Sequence, residues 1–120
     1  MFPKEIEFDG ESICRSCSTR IETGCGHLFV IIDYHEKKVK RVQANLGKQG
    51  SCTRCQNDAL SRVISVGLDY GVPLDAFIRE LKGHQCEKPK DWPKNNRVLS
   101  CPDGVAKALE EVANVIQIQV

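Results

Sequence analysis

Seven cysteines are spread along the 120 residues of this chain, and they constrain its fold more than any other feature. An odd number of cysteines cannot be fully paired into disulfides within one chain. The N-terminal residues Met-Phe-Pro-Lys-Glu lack the apolar stretch of a secretory signal, so we expect a cytoplasmic protein in which disulfides are disfavoured. Metal ligation is therefore the expected role of these cysteines, which are Cys14, Cys17, Cys25, Cys52, Cys55, Cys86 and Cys101.

The overall charge and hydropathy narrow the classes of partner. Seventeen basic and sixteen acidic residues leave a formal charge of +1, whereas a nucleic-acid-binding domain usually carries a clear basic excess. No apolar run approaches the roughly 20 residues that a membrane helix needs. We therefore expect no membrane insertion and no nucleic-acid partner.

The hydrophobic pattern predicts an α+β fold, in which a small antiparallel β-hairpin or sheet is packed by three α-helices and stabilised by a metal. β-branched and aromatic residues indicate strands over 27–34 and 39–46, joined by a turn. Helical spacing of apolar residues follows over about 52–70, with Ser51 as the expected N-cap and Gly71 just after the end.

The remaining elements are two shorter helices. Pro73 is expected to start the second helix and Gly83 to end it. Ser100 is expected to cap the third helix, with Asp103 at the third helical position as in a capping box.

The residue patterns at the two ends of the chain give two further predictions. Residues 1–21 form an expected N-terminal arm that carries a Cys14-x-x-Cys17 knuckle, and residues 22–120 form the metal-binding domain. The final residues, 116–120, alternate between apolar and polar side chains. This alternation predicts an edge strand through which a homo-oligomer could form.

Four cysteines lie where a metal ligand is expected. Cys25 lies in a glycine-bracketed turn, Cys52 and Cys101 begin helices, and Cys86 follows the second helix. The partial positive charge of a helix N-terminus favours thiolate over thiol, and zinc binds four thiolate or imidazole ligands in a tetrahedron. The sequence therefore predicts a zinc site at these four residues.

A second set of ligands stays open. Cys14-x-x-Cys17 and Cys52-x-x-Cys55 are two C-x2-C knuckles, but 34 residues separate Cys17 from Cys52, against the usual ~15–20 of a compact zinc ribbon. His84 is the best spare imidazole. The Cys52–Cys55 pair at a helix start also leaves a thiol redox partner as an alternative function.

Several motifs occur in the order of a known family, the TSCPD domain, which is named for its Ser-Cys-Pro-Asp motif. The chain resembles that family over about residues 22–112. The motifs are Thr23-Gly24-Cys25-Gly26-His27, Asn45-Leu46-Gly47-Lys48-Gln49-Gly50-Ser51-Cys52, Leu81-Lys82-Gly83 followed by Cys86, and Ser100-Cys101-Pro102-Asp103.

The resemblance implies a link to deoxyribonucleotide synthesis, because the family is best known as a C-terminal module of cobalamin-dependent ribonucleotide reductases. The cysteines that match the family pattern are Cys25, Cys52, Cys86 and Cys101. Leu99 stands where the family has threonine, and Cys14, Cys17 and Cys55 look like additions. The catalytic barrel of the reductases is absent from these residues, so we expect a non-catalytic accessory module that binds a reductase or a related enzyme.

The placing of cysteines after a strand and at helix starts is also similar to iron–sulfur scaffold proteins of the NifU/IscU type. This similarity concerns layout only. It leaves an iron–sulfur cluster as the alternative cofactor to zinc, with cluster binding or delivery as the corresponding function.

Overall fold

The computed structural model of the chain describes residues 15–46, 51–87, 89–90 and 97–115. These residues form a three-stranded antiparallel sheet and three helices, which confirms the α+β class. Cys14 and the predicted edge strand at 116–120 lie outside the described residues. The elements in chain order are β1 (Arg15–Thr23), β2 (Gly26–His35), β3 (Lys38–Asn45), α1 (Cys52–Asp69), α2 (Leu74–Leu81) and α3 (Cys101–Val115).

The sheet has the order β1-β2-β3, so β2 is central. The predicted hairpin is confirmed as β2 and β3, and its two-residue turn holds Glu36 and Lys37 at positive φ (48° and 66°), as a type I′ turn requires. β1 begins within the residues expected to form the N-terminal arm. Arg15 pairs with Tyr34 and Cys17 with Ile32, so the segment around Cys17 is a strand and not a knuckle-like turn. The sheet thus includes residues 15–21, which the sequence pattern assigned to an arm.

The core lies between one face of the sheet and the helices. Leu28, Val30 and Ile32 alternate along β2 and are fully buried, as the period-two rule for a half-buried strand predicts. α3 packs against them with Val105 and Leu109. It approaches the sheet so closely that a Cβ at position 104 would lie 3.1 Å from a Leu28 methyl carbon, which explains the glycine there.

Helix α1 covers the open edge of the sheet at β3. The Ser61 hydroxyl accepts the Ala44 N–H at 2.8 Å, and the Ser65 hydroxyl accepts the Val42 N–H at 3.0 Å. Unpaired strand edges attract other strands, and here two serines one turn apart satisfy part of that edge. Ser51 caps the helix as predicted, and its hydroxyl accepts the Arg54 N–H at 3.1 Å.

The other two helices begin and end close to the expected residues. Pro73 is the N-cap of α2, one residue before its first helical position, and Gly83 follows its end with φ 92°. The Ser100 hydroxyl accepts the Asp103 N–H at 3.1 Å and so caps α3. Among the described helices, none combines the length and the apolar character that crossing a bilayer requires.

Candidate metal centre

Three of the four cysteines selected from the sequence line one pocket. Cys25, Cys86 and Cys101 reach it from the β1–β2 turn, the loop after α2 and the start of α3, and its volume is about 340 Å³. Residues from the first turns of α1 also line it. The other lining residues are Thr53, Gln56, Asn57, Leu60, Ser100 and Pro102.

Cys101 owes its place to the cap of α3. It is the first helical residue after Ser100, whose hydroxyl accepts the Asp103 N–H and donates to the His84 carbonyl at 2.6 Å. The cap therefore also ties the chain after α2 to the start of α3. Cys101 therefore lies at the positive end of the helix dipole.

Asp103 is almost completely buried behind the pocket. Its carboxylate accepts N–H groups from Gly83 at 2.8 Å and Leu99 at 2.9 Å, and it also contacts the Lys107 ammonium at 3.0 Å. Burial on its own would raise the pKa of Asp103. The two backbone donors and Lys107 outweigh that effect and hold the pKa below its usual value. In this motif Ser100 and Asp103 organise the backbone while Cys101 faces the pocket.

Cys86 lies beside Cys101 because two segments run antiparallel there. The Cys86 N–H donates to the Leu99 carbonyl at 3.0 Å. Lys90 and Val98 exchange backbone hydrogen bonds of 2.8 and 3.0 Å a few residues further on. The loop after α2 is therefore held against the residues that lead into α3.

The backbone of Cys25 is held by the side chain of Thr23, which was not among the candidate site residues predicted from the sequence. The Thr23 hydroxyl accepts the Cys25 N–H at 3.1 Å and donates to the Gly26 carbonyl at 2.9 Å. Gly26 has φ 135°, which a side chain would disfavour. The Thr-Gly-Cys-Gly run was the signal in the sequence, and Thr23 is its structural anchor.

Cys52 and Cys55 lie at the start of α1, on different sides of it. With about 100° per helical residue, the pocket-lining positions 53, 56, 57 and 60 share one face. Cys52 lies about 90° from the centre of that face and Cys55 about 150° from it. Both are exposed. Cys52 is thus at the edge of the pocket, whereas Cys55 faces away.

The other second-tier ligands lie elsewhere. Cys17 is six strand residues before Thr23, which places it about 20 Å from the Cys25 turn. Burial, and then the nearby Asp33 carboxylate, raise the pKa of Cys17. The exposed side chain of His84 does not line the pocket, although its carbonyl accepts the Ser100 hydroxyl.

Asn57 is a further pocket residue that the sequence reading missed. It is 3% exposed, and its side-chain amide donates to the Thr53 carbonyl at 2.9 Å. It shares the inward face of α1 with Ser61 and Ile64, at positions i+4 and i+7. The helical spacing of these three residues was visible in the sequence, but a polar side chain among apolar ones gives no indication that it is buried.

Thiols are ligands that zinc prefers, but the cysteines at this pocket are not close enough together to form a preformed metal site. In the described ranges no three His, Cys, Asp or Glu side chains are grouped closely enough to hold a metal ion. The structure therefore brings Cys25, Cys86 and Cys101 to one pocket and leaves metal ligation a prediction.

Comparison with known proteins supports the family resemblance. No curated protein and no solved structure gives a significant match. A family model for the TSCPD domain matches residues 7–113, which is nearly the whole chain, and this confirms the expectation from the motifs. The chain belongs to the TSCPD domain family, which is associated with ribonucleotide reductases.

Proposed function

We propose that this chain is a zinc-binding accessory module for a ribonucleotide reductase or a related enzyme, with no catalytic activity of its own. Cys25, Cys52, Cys86 and Cys101 hold the metal in this proposal. The observation that carries it is the convergence of Cys25, Cys86 and Cys101, from three separate elements, on one pocket beside the start of α1.

The pocket lies at the positive ends of two helix dipoles. The first turns of α1 and of α3 both contribute lining residues, so two helix N-termini lie at the pocket. A partial positive charge at a helix N-terminus stabilises a metal-bound thiolate. Among the described residues that line the pocket, none is an Asp or Glu that would oppose this effect.

The lining also supports a structural role for the metal. The cysteines are the only titratable side chains among the described residues that line the pocket, so none of these residues adds a separate general acid or base. A metal bound there would connect the β1–β2 turn, the loop after α2 and two helix starts. Zinc affinities of ~10–16 kcal/mol are comparable to the whole stability of a small domain, so metal loss should loosen this end of the fold.

Elemental analysis of protein purified without air, in reductant, tests the proposal. We expect about one zinc ion per chain and little iron. Cys25→Ser, Cys52→Ser, Cys86→Ser and Cys101→Ser should each lower the zinc content and the unfolding temperature. Cys55→Ser is the matched control, because this exposed thiol on α1 faces away from the pocket.

The contrary outcomes separate the alternatives. Full zinc retention in all four cysteine variants would contradict the ligand set. Iron with acid-labile sulfide would identify the chain as an iron–sulfur protein. Disulfide-reductase activity that disappears in Cys52→Ser and in Cys55→Ser, and that persists in metal-free protein, would identify a thiol redox partner.

Binding to a reductase is measured separately. We expect purified cobalamin-dependent ribonucleotide reductase to bind the full chain in a titration followed by calorimetry, and to bind it more weakly after the chain is treated with a chelator. No heat of binding with either form would contradict the accessory role while leaving the zinc site intact.

A further inference from the structure

Helix α1 exposes large apolar side chains on the side that faces away from the core. Val63 and Val66 are 64% and 55% exposed, and Tyr70, the C-cap residue just after α1, is 86% exposed. Ala59, one turn before Val63, is also exposed. We call these four residues, Ala59, Val63, Val66 and Tyr70, the outer seam of α1.

The spacing of the outer seam is that of a coiled-coil contact line. Its members follow one another at intervals of four, three and four residues, as a and d positions do. At 1.5 Å per residue the outer seam runs about 16 Å along the helix. Within the described part of the chain, no strand or other helix covers it, since its members stay exposed.

The core does not need these residues. α1 faces the sheet with Asn57, Ser61 and Ile64, and two of these three inward positions are polar. The Ser61 hydroxyl bonds to β3, so the inward side of the helix is fixed by hydrogen bonds as well as by packing. Leu60 and Leu68 also pack against the core, so the helix is anchored without Val63 and Val66. An exposed apolar line of this kind marks an interaction surface.

Charges beside the outer seam indicate the partner and its direction. Arg62 and Asp69 lie on the same flank, one residue before Val63 and one before Tyr70. Two antiparallel copies related by a two-fold axis near residues 64–65 would place Arg62 of one against the partner's Asp69, and this pair would occur twice. A parallel arrangement would bring neither charge near its opposite.

The side-chain sizes agree with the same arrangement. About that axis, Val63 would face the partner's Val66, and the small Ala59 would face the partner's large Tyr70. Such matching of small with large residues is what interdigitated helix packing requires. A surface that complements itself in both shape and charge is best filled by a second copy of the chain.

We propose that the outer seam of α1 is the interface of a homodimer in which the two α1 helices pack antiparallel. A contact of one three-turn helix per copy falls below the ~1,600 Å² of a standard interface, so the dimer is weak and depends on protein concentration. The proposal concerns a different surface from the cysteine pocket and does not depend on metal binding.

Sedimentation equilibrium of the full chain in reductant, over about a hundredfold range of concentration, tests the proposal. The expected result is a reversible monomer–dimer equilibrium. Val63→Glu should raise the dissociation constant by roughly tenfold or more, because a charge at the centre of the contact would be desolvated against the partner's Val66. A monomer at every concentration would overturn the proposal.

A charge exchange tests the direction of packing. Arg62→Asp and Asp69→Arg should each weaken the dimer by roughly three- to tenfold, since two-fold symmetry alters two pairs at once. The double variant should recover most of the affinity. It does not rebuild the intrahelical Arg62–Asp58 pair of 3.1 Å, so recovery would report on the contact between copies.

Two controls complete the design. Arg79→Asp on α2 breaks a similar exposed pair, with Asp75, away from the outer seam and should leave the dissociation constant unchanged. Thermal unfolding of each variant shows that it is folded. Self-association that survives Val63→Glu, or a double variant as weak as the single ones, would overturn the antiparallel interface.

Discussion

The carboxylate of Asp103 accepts the backbone N–H of Gly83, 20 residues earlier in the chain, at 2.8 Å. Gly83 lies just past the end of α2 and Asp103 in the first turn of α3. This bond, together with the one from Leu99, holds the loop that carries Cys86 against the start of α3. The acidic residue of the Ser-Cys-Pro-Asp motif thus brings two cysteines together without lining the pocket itself.

Asp103→Ala should destabilise the fold strongly. The substitution leaves the N–H groups of Gly83 and Leu99 without their acceptor, at a cost on the order of 2–3 kcal/mol. That corresponds to roughly 10 °C in the unfolding midpoint of a domain of this size. Calorimetry measures the shift.

Glu110→Ala is the control for Asp103→Ala, because it removes a contact of 2.8 Å to Lys82 that also joins α2 to α3. Both members of that pair are about half exposed, so this midpoint should change little. Equal shifts in the two variants would contradict the positioning role of Asp103.

Gly67→Ala should destabilise the chain, although alanine is the better helix former. A Cβ at position 67 would lie 2.4 Å from the ring carbon Cζ of Phe77. This clash should exceed the ~1 kcal/mol that alanine gains over glycine within a helix. Urea unfolding measures the change in free energy.

The Phe77→Leu substitution separates the clash from other effects of Gly67→Ala. In the Phe77→Leu background the ring is absent, so Gly67→Ala should be neutral or stabilising. A stabilising Gly67→Ala with Phe77 present would show that the ring moves aside freely.

Ser61→Ala tests how α1 covers the sheet edge. Ser61 is 3% exposed, and its hydroxyl accepts the Ala44 N–H and donates to the Asn57 carbonyl, both at 2.8 Å. Its loss leaves a buried N–H of β3 unsatisfied and should cost about 1–3 kcal/mol in urea unfolding. Ser18→Ala, at an exposed position of β1, should change the free energy of unfolding little. An equal cost there would contradict the role of Ser61 in satisfying the edge of β3.

Cys17 should react slowly with a thiol reagent at neutral pH. Burial is the main cause of its raised pKa and the Asp33 carboxylate adds to it, so the thiolate fraction is low below that pKa and grows as the pH rises through it. Alkylation followed by mass spectrometry should find Cys17 modified later than the exposed Cys55 at pH 7. The rate at Cys17 should still increase at pH values above the ordinary pKa of a cysteine thiol.

Asp33→Asn checks the second cause of the raised pKa at Cys17. Removing the carboxylate should shift the pH dependence of Cys17 alkylation to lower pH and leave Cys55 unchanged. A Cys17 rate equal to that of Cys55 throughout would contradict the raised pKa.

Much of the fold followed from local pattern. The alternation in β2, the Ser51 and Ser100 caps and Gly71 after α1 are properties of short segments, and the structure confirms them. The length of β1 was not predictable in this way. The residues on its exposed face are polar, so the sequence gives little sign of a strand. They form one because β2 pairs with β1 along its whole length.

The candidate site was also only partly predictable from the sequence. Glycine-bracketed and helix-starting cysteines are visible in sequence, because backbone conformation and helix dipoles are local. Sequence order cannot show that Cys25, Cys86 and Cys101 share a pocket, since hydrogen bonds between distant segments bring them together. It also cannot show that Cys17 lies far from them.

Helix α1 shows most clearly what the sequence determined and what required the tertiary structure. Its sequence determined that a helix forms over Cys52–Asp69 and that many of its residues are apolar. Only the tertiary structure decided that Asn57 and Ser61 point inward while Val63 and Val66 point out. The physical reason is that the edge of β3 needs hydrogen-bond partners, and the helix turns its serines toward that edge.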